Sequence, residues 1–327
     1  MTARSTTKSG SSKQELVFAA DLGGTHLRVA TVDRNGKITC RQIQPTPQAE
    51  KPNEIVHALI DAVRECEREI AGTGDAISAV SIAVPGTVNV AEGVVVKAPN
   101  VPCLDGFRLG AALESELEWP VILENDANAA AIGEMWQGAG RGHRTIICVT
   151  LGTGVGGGII LDGKLWRGAN GSAAEIGHIG VDPFAGVPCT CGSRGCLEVY
   201  ASATAIVRMT REAGPRYPKS VLHNTEDLTS EKIYQAGKEG DELAIEVFRQ
   251  MGVYLGIGLA SLINVLNPEI VVIGGGLSNG WELFEKHMHQ QILERAFPVP
   301  ARCVKIVRAE CGDDAGLLGA ARLAFVD

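Results

Sequence analysis

Residues 145–166 read TIICVTLGTGVGGGIILDGKLW. An apolar run ends in a glycine turn, a second apolar run follows, and Asp162-Gly163 supplies another turn before a third extended segment. Gly152, Gly154 and Gly157 satisfy G-x-G-x-x-G literally. A dinucleotide-binding unit would open a helix at this point, but Ile159-Ile160-Leu161 reads as strand, and the dinucleotide reading is rejected on that context. No G-x-x-x-x-G-K-[ST] occurs, so a P-loop is also excluded.

The same order recurs near the start of the chain. ELVFAADL (15–22) is a short apolar run that ends in Asp21-Leu22-Gly23-Gly24-Thr25, and LRVATVD (27–33) reads as a second strand. Asn35-Gly36 is a strong hairpin signal, with KITCRQI (37–43) returning. From Pro52, apolar residues at Ile55, Leu59, Val63, Cys66 and Ile70 mark one helix face. AISAVSIAVPG (76–86) and WPVILEND (119–126) read as strands, and ANAAAIGEMW after Asp126 as a helix start. Further on come a long helix near 243–266, a strand and glycine turn in NPEIVVIGGGLS (267–278), a strand in KIVRA (305–309) and a closing helix at 316–325. Strands and helices in this order imply a mixed α/β sheet. The repeated strand-and-turn opening hints at internal duplication.

The 327 residues are 45% apolar and 21% charged, without an uninterrupted apolar run of transmembrane length, which excludes a disordered chain and a membrane-spanning one. A net charge of −8 favours solubility and argues against nucleic-acid or membrane partners. MTARSTTKSGSSK is Ser/Thr/Lys-rich with no apolar segment, so 1–14 is expected to be a disordered tail rather than a secretory signal, and the protein to be cytoplasmic. Its cysteines should then stay mostly reduced. Glycine is in excess: 40 residues, where a typical ~7% would give about 23. Seventeen of them lie between Gly133 and Gly195.

Three features carry chemistry. The turns at Asp21, Gly23, Gly24 and Thr25, at Gly152, Thr153 and Gly154, and at Gly274, Gly275 and Gly276 each follow a strand. Phosphate oxygens need close approach to several backbone N–H groups, which a Cβ obstructs. Three such turns point to phosphate binding, tight hairpins being the alternative. His178, Cys189, Cys191 and Cys196 form H-x10-C-x-C-x4-C, a Cys3His set suited to a closed tetrahedral zinc site. Unligated thiols, or a disulfide with one thiol spare, are the alternatives. Cys40, Cys66, Cys103, Cys148, Cys303 and Cys311 stand singly and read as ordinary core or surface residues. Asp126, at a strand end beside Asn125, suits either a general base or a helix N-cap. Glu175 and Glu198 flank the cysteine loop, where they could bind sugar hydroxyls or simply face solvent.

DLGGT, ENDANAAA, LGTGVGGG, EIGH and CTCGSRGCLE, in this order and spacing, closely resemble the ROK family of bacterial sugar kinases and repressors over about 15–325, and its glucokinase branch most. The resemblance implies an actin/hexokinase-like (ribonuclease H-like) duplicated fold of two α/β domains with a cleft between them. Residues 15–127 plus 313–327 would form the small domain and 128–312 the large one with its zinc loop, the closing helix packing back on the first. It further implies ATP-dependent phosphorylation of glucose at the 6-hydroxyl. Asp126 would be the catalytic base. Asn125, Glu175, His178 and Glu198 would hold the sugar, with Gly86 contributing. The first two turns would hold the ATP phosphates, and 274–276 would lie near the adenosine. Zinc (Zn2+) on His178, Cys189, Cys191 and Cys196 would shape the sugar site, and magnesium (Mg2+) would accompany ATP. A homodimer is implied too. Other hexoses or N-acetylhexosamines are alternative substrates, and a non-catalytic sugar sensor is a third reading. The chain departs from the family pattern in one place, with His26 where many members carry Lys after GGT. Too few residues precede Glu15 for the helix-turn-helix of the repressor members.

Overall fold

The computed structural model describes residues 14–325. The expected 1–14 tail therefore lies outside the described residues, Gln14 excepted. In chain order come β1 (Glu15–Leu22), β2 (His26–Asp33), β3 (Ile38–Pro45), α1 (Pro52–Ile70), β4 (Ala76–Val84), the hairpin β5 (Thr87–Asn89) and β6 (Val94–Lys97), α2 (Leu109–Glu114), β7 (Val121–Asn125) and α3 (Asp126–Gln137). The second half runs β8 (Ile146–Leu151), β9 (Val155–Leu161), β10 (Lys164–Leu165), α4 (Glu198–Ala201), α5 (Ala203–Ala213), α6 (Ser230–Lys238) and α7 (Glu242–Leu266). It closes with β11 (Ile270–Gly274), α8 (Trp281–Arg295), α9 (Pro298–Cys303), β12 (Lys305–Arg308) and α10 (Ala315–Ala324).

The strands form two five-stranded sheets ordered β3-β2-β1-β4-β7 and β10-β9-β8-β11-β12. In each, an antiparallel meander of three strands is extended by two parallel ones. The two halves thus share one topology, and the duplication hinted at by the repeated turns is real at the level of the fold. The parallel strands are covered on both faces and read as nearly continuous apolar runs for that reason. β9 is a strand, as the run Ile159-Ile160-Leu161 requires.

Each sheet has its own core. α1 packs Ile55, Leu59 and Val63 with Phe18 and Ile82 of the first sheet. α7 buries Phe248, Leu255 and Leu259 with Val149 and Val271 of the second. α7 is long and apolar enough to cross a membrane, but most of its apolar stretch is buried inside the protein. α1 also carries a correction. Cys66 forms a disulfide with Cys40 on β3, the Cα atoms being 5.8 Å apart, so these two are not the single core residues expected from sequence. Twenty-six positions separate them, and only the docking of α1 on the sheet brings them together.

Two helices join the halves. α3 follows the first sheet but lies on the second, where Gly156 and Gly158 of β9 leave room for Ala127 and Ala131. α10 follows the second sheet but covers the first, with Leu317, Ala320 and Ala321 on Val17, Ala19 and Ala83. The closing helix therefore packs back as expected. α3 and α10 meet backbone to backbone: a Cβ at Gly319 would overlap the Ala129 carbonyl, and one at Gly133 the Ala315 carbonyl. Glu134, fully buried on α3, accepts from the backbone N–H groups of Ala139 (2.9 Å), Glu310 (3.1 Å) and Cys311 (2.8 Å), which staples α3 to the segment leading into α10. Gly319→Val should cost about 3 kcal/mol or more, since neither backbone can retreat. Chemical denaturation measures it, and a loss below about 1 kcal/mol would show that the crossing is not close-packed.

Candidate functional site

The junction of β7 and α3 presents a carboxylate at the end of a parallel strand. Asn125 is extended (φ −64°, ψ 143°) and is the N-cap, its Oδ1 accepting from the Asn128 N–H at 2.9 Å. Its Nδ2 donates to the Gly86 carbonyl (2.8 Å) and to Asp126 Oδ1 (3.0 Å). Gly86 has φ +95° and turns tightly against the Lys97 carbonyl, so no side chain is accommodated there. Asp126 is thereby relieved of the capping role that sequence left open. It is half-buried, and its Oδ1 accepts from the Ala127 N–H at 2.8 Å. Burial pushes its pKa up to about 6, the nearby Asp21 carboxylate adds to the rise, and the Ala127 N–H and Asn125 amide oppose it. A group so placed can accept a proton near neutral pH.

The turn at 21–25 joins β1 to β2, with the Gly23 N–H on the His26 carbonyl (2.9 Å) and Thr46 Oγ1 donating to the Gly23 carbonyl (2.6 Å). Gly24 lies against Asn100, while Thr25 and His26 are exposed. Asp21 is half-buried and pairs with Arg28 at 3.2 Å; burial raises its pKa and Arg28 opposes the rise. The turn after β8 is tied internally by the Gly152 N–H on the Gly154 carbonyl (3.0 Å). Glu198, at the start of α4, reaches this turn rather than the cysteine loop, and its Oε2 accepts from the Val155 N–H at 3.0 Å. Gly275 (φ +81°) lies against Leu151, so the turns after β8 and β11 are neighbours at one end of the second sheet.

Beside them runs a groove of about 500 Å³ lined by Thr153, Thr204, Val207, Arg208, Arg211 and Ser230. A smaller hollow shares Ser230 and reaches Tyr234, Gly276 and Leu277. Of this lining, Thr153 and Gly276 stand out in the sequence. Leu277 follows the Gly276 turn, and the other residues named come from α5 and α6, whose amphipathic spacing was the available signal.

His178, Cys189, Cys191 and Cys196 converge, their donor atoms all within 4.8 Å of one another. His178 Nδ1 is 3.7 Å from Cys189 Sγ, and Cys191 Sγ is 3.7 Å from Cys196 Sγ. A tetrahedral zinc with Zn–S of ~2.3 Å needs sulfurs about 3.8 Å apart, so the donor set fits the ion in kind and spacing. Gly192 (φ +91°) and Gly195 (φ +70°) make the sharp turns, and the Tyr200 hydroxyl pins the loop by accepting from the Val187 N–H (3.0 Å) and donating to Asp182 (2.9 Å). The other ring nitrogen of His178, Nε2, points toward Glu175 at 4.0 Å, so the imidazole has one face on the thiols and one toward an acid.

The family model described as the ROK family matches residues 17–326. A glucokinase from Halalkalibacterium halodurans is 38% identical over 306 residues, covering 91% of this chain and 92% of its own. The crystal structure of a ROK family glucokinase from Streptomyces griseus in complex with glucose and AMPPNP aligns with a TM-score of 0.80 at 35% identity, over 94% of this chain and 98% of that one. A ROK family transcriptional regulator, a homolog of the E. coli MLC protein, aligns with a TM-score of 0.87 at 29% identity, over 95% of this chain and 78% of the other.

The capping geometry makes a direct prediction. Asn125→Ala should lower folding stability by about 1 kcal/mol, whereas Asp126→Ala, which removes a poorly solvated acid and no cap, should cost less. Denaturant titration of both variants decides it, and the reverse order would move the cap to Asp126.

Proposed function

We propose that this chain, which belongs to the ROK family, transfers the γ-phosphoryl group of ATP to the 6-hydroxyl of glucose. The observation that carries the reading is Asp126: a half-buried carboxylate with a raised pKa, released from capping by Asn125 and adjoining Asp21 of a glycine turn. Identity of 38% to a named glucokinase supports the substrate.

In this reading the sugar lies against Asn125, Gly86, Glu175, His178 and Glu198, in a cleft between 15–127 plus 313–327 on one side and 128–312 on the other. Asp126 takes the proton of the 6-hydroxyl as its oxygen attacks the γ-phosphorus. The bond to the β–γ bridging oxygen breaks, ADP leaves, and the proton stays on the carboxylate until product release. The turns at Asp21, Gly23, Gly24 and Thr25 and at Gly152, Thr153 and Gly154 cradle the phosphates. Gly274, Gly275 and Gly276 stand near the adenosine, for which the groove beside Thr153 and Ser230 supplies the room. Such a transfer depends mainly on positioning and charge stabilisation. Magnesium bound with ATP neutralises phosphate charge, and Asp21 is the carboxylate of the first turn that would face it. Zinc on the Cys3His set would be structural, fixing the loop so that His178 Nε2 is turned toward the sugar.

A sugar-sensing protein without turnover is a second reading, favoured by the likeness to a regulator and opposed by the well-formed Asp126 site. Another hexose or an N-acetylhexosamine is the alternative within the kinase class.

ADP release with ATP and magnesium across a panel of hexoses and N-acetylhexosamines separates these readings. Glucose should turn over best, and Asp126→Asn should lose about 10²–10⁴-fold in kcat while still binding the sugar. A variant with wild-type turnover would remove Asp126 from the chemistry. Because Asp126 must be ionised to accept the proton, and its pKa is raised to about 6, kcat/KM for glucose should be level above that pH and fall as pH drops through it. A profile level down to about pH 4, the ordinary carboxylate value, would contradict the role. Metal analysis should find about one zinc per chain; less than about half an equivalent, with Cys189, Cys191 and Cys196 freely reactive, would argue against the site.

A further inference from the structure

One ion pair, buried on its acid side and half-exposed on its guanidinium side, stands beside this chemistry without a role in it. Glu124 precedes Asn125 on β7, and its side chain is 3% exposed. A carboxylate buried to that degree needs a full set of partners. Its Oε1 accepts from the Asn125 N–H and from Asn128 Nδ2, both at 3.0 Å. Its Oε2 accepts from Arg167 Nε at 2.7 Å, and Nη2 of the same guanidinium lies 2.6 Å from that oxygen as an ion pair. Glu124 therefore grips the residue that caps α3, the first turn of α3, and a guanidinium from elsewhere in the chain.

Arg167 lies just after β10, second in the segment 166–175. Its carbonyl accepts from the Ala173 N–H at 3.1 Å, so one residue closes this loop through its backbone and anchors it through its side chain. The loop ends in backbone that ordinary residues avoid: Gly168 has φ +72°, Gly171 φ +83°, and Ala174, which carries a Cβ, φ +64°. A conformation like that persists only where the surroundings impose it. The Ala174 carbonyl is pressed against Gly157 of β9, and Glu175 is the next residue, with His178 three further on. Among the described residues, the Arg167–Glu124 pair is the hydrogen-bonded tie from 166–175 to the β7–α3 junction.

Packing alone does not call for ions here, because apolar side chains of similar volume hold buried contacts as well. What a guanidinium fork adds is direction, since its planar donors accept little angular error. We infer that the Glu124–Arg167 pair is a positioning device, setting the Glu175–His178 segment against Asp126 and so fixing how the sugar is presented to the base. The inference rests on Asp126 acting as that base.

The test uses the full chain with ATP, magnesium and glucose. Arg167→Gln should raise the KM for glucose and lower kcat, each by about tenfold, while the KM for ATP stays within about twofold. Arg167→Lys, which keeps the charge but loses the fork, should recover part of the loss. Should Arg167→Gln fail to fold, as judged by its thermal transition, the Lys variant alone should still show the glucose-specific KM rise. Unchanged glucose parameters in a folded Arg167→Gln, or glucose and ATP KM values rising together, would overturn the positioning role while leaving the kinase reading intact. A wild-type protein that turns over no hexose would remove the base reading and this inference with it.

Discussion

The backbone contact between α3 and α10 is the constraint on which the rest depends. Gly133 and Gly319 let the two helices cross with carbonyl oxygens where side chains would ordinarily stand. Each helix leaves its own sheet and settles beyond it, so the crossing welds two similar halves into one body. Asp126 is the first residue of α3, and its direction is therefore fixed by that weld at one end and by the Asn125 cap at the other. The glycines of β9 serve the same purpose, allowing the first turn of α3 to rest directly on the second sheet.

The acids of β7 and α3 show how one environment can hold carboxylates in different ways. Glu134 is satisfied by three backbone N–H groups, and Glu124 by a backbone N–H, an amide and a guanidinium. Asp126, between them in sequence, accepts from Ala127 and Asn125 and feels Asp21 nearby. The pKa of Asp126 is raised to about 6, as expected when burial is not matched by donors. The two fully satisfied acids hold backbone in place, and the third is left with proton affinity to spare.

Much of this was legible in the sequence. The strands around 15–43 and 145–166, the turns that end them and the long apolar helix α7 follow from alternation, glycine placement and 3.6-residue spacing, which are local signals. The four donors of the cysteine loop were legible for the same reason, being close in the chain except for His178. What sequence could not separate was the pair Asn125 and Asp126, since either side chain can cap a helix and only the actual hydrogen bonds assign the task. The Cys40–Cys66 bond, the groove between α5 and α6, and the reach of Glu198 to the Val155 N–H all depend on distant segments docking together. The glycine excess had a further meaning: Gly156 and Gly158 make room for a helix, and Gly157 for Ile176 and the Ala174 carbonyl.

The exchange of helices between halves also bears on how the chain is made. The first sheet is built from residues 15–125, yet one of its faces, with Val17, Ala19 and Ala83, is covered by Leu317, Ala320 and Ala321. During synthesis from the N-terminus that apolar face lacks this cover until α10 has emerged. The second sheet meets α7 before α10 is made. The N-terminal core is thus completed only after the second sheet has been made, and a chain stopped short of α10 would expose the surface on which its first strands depend.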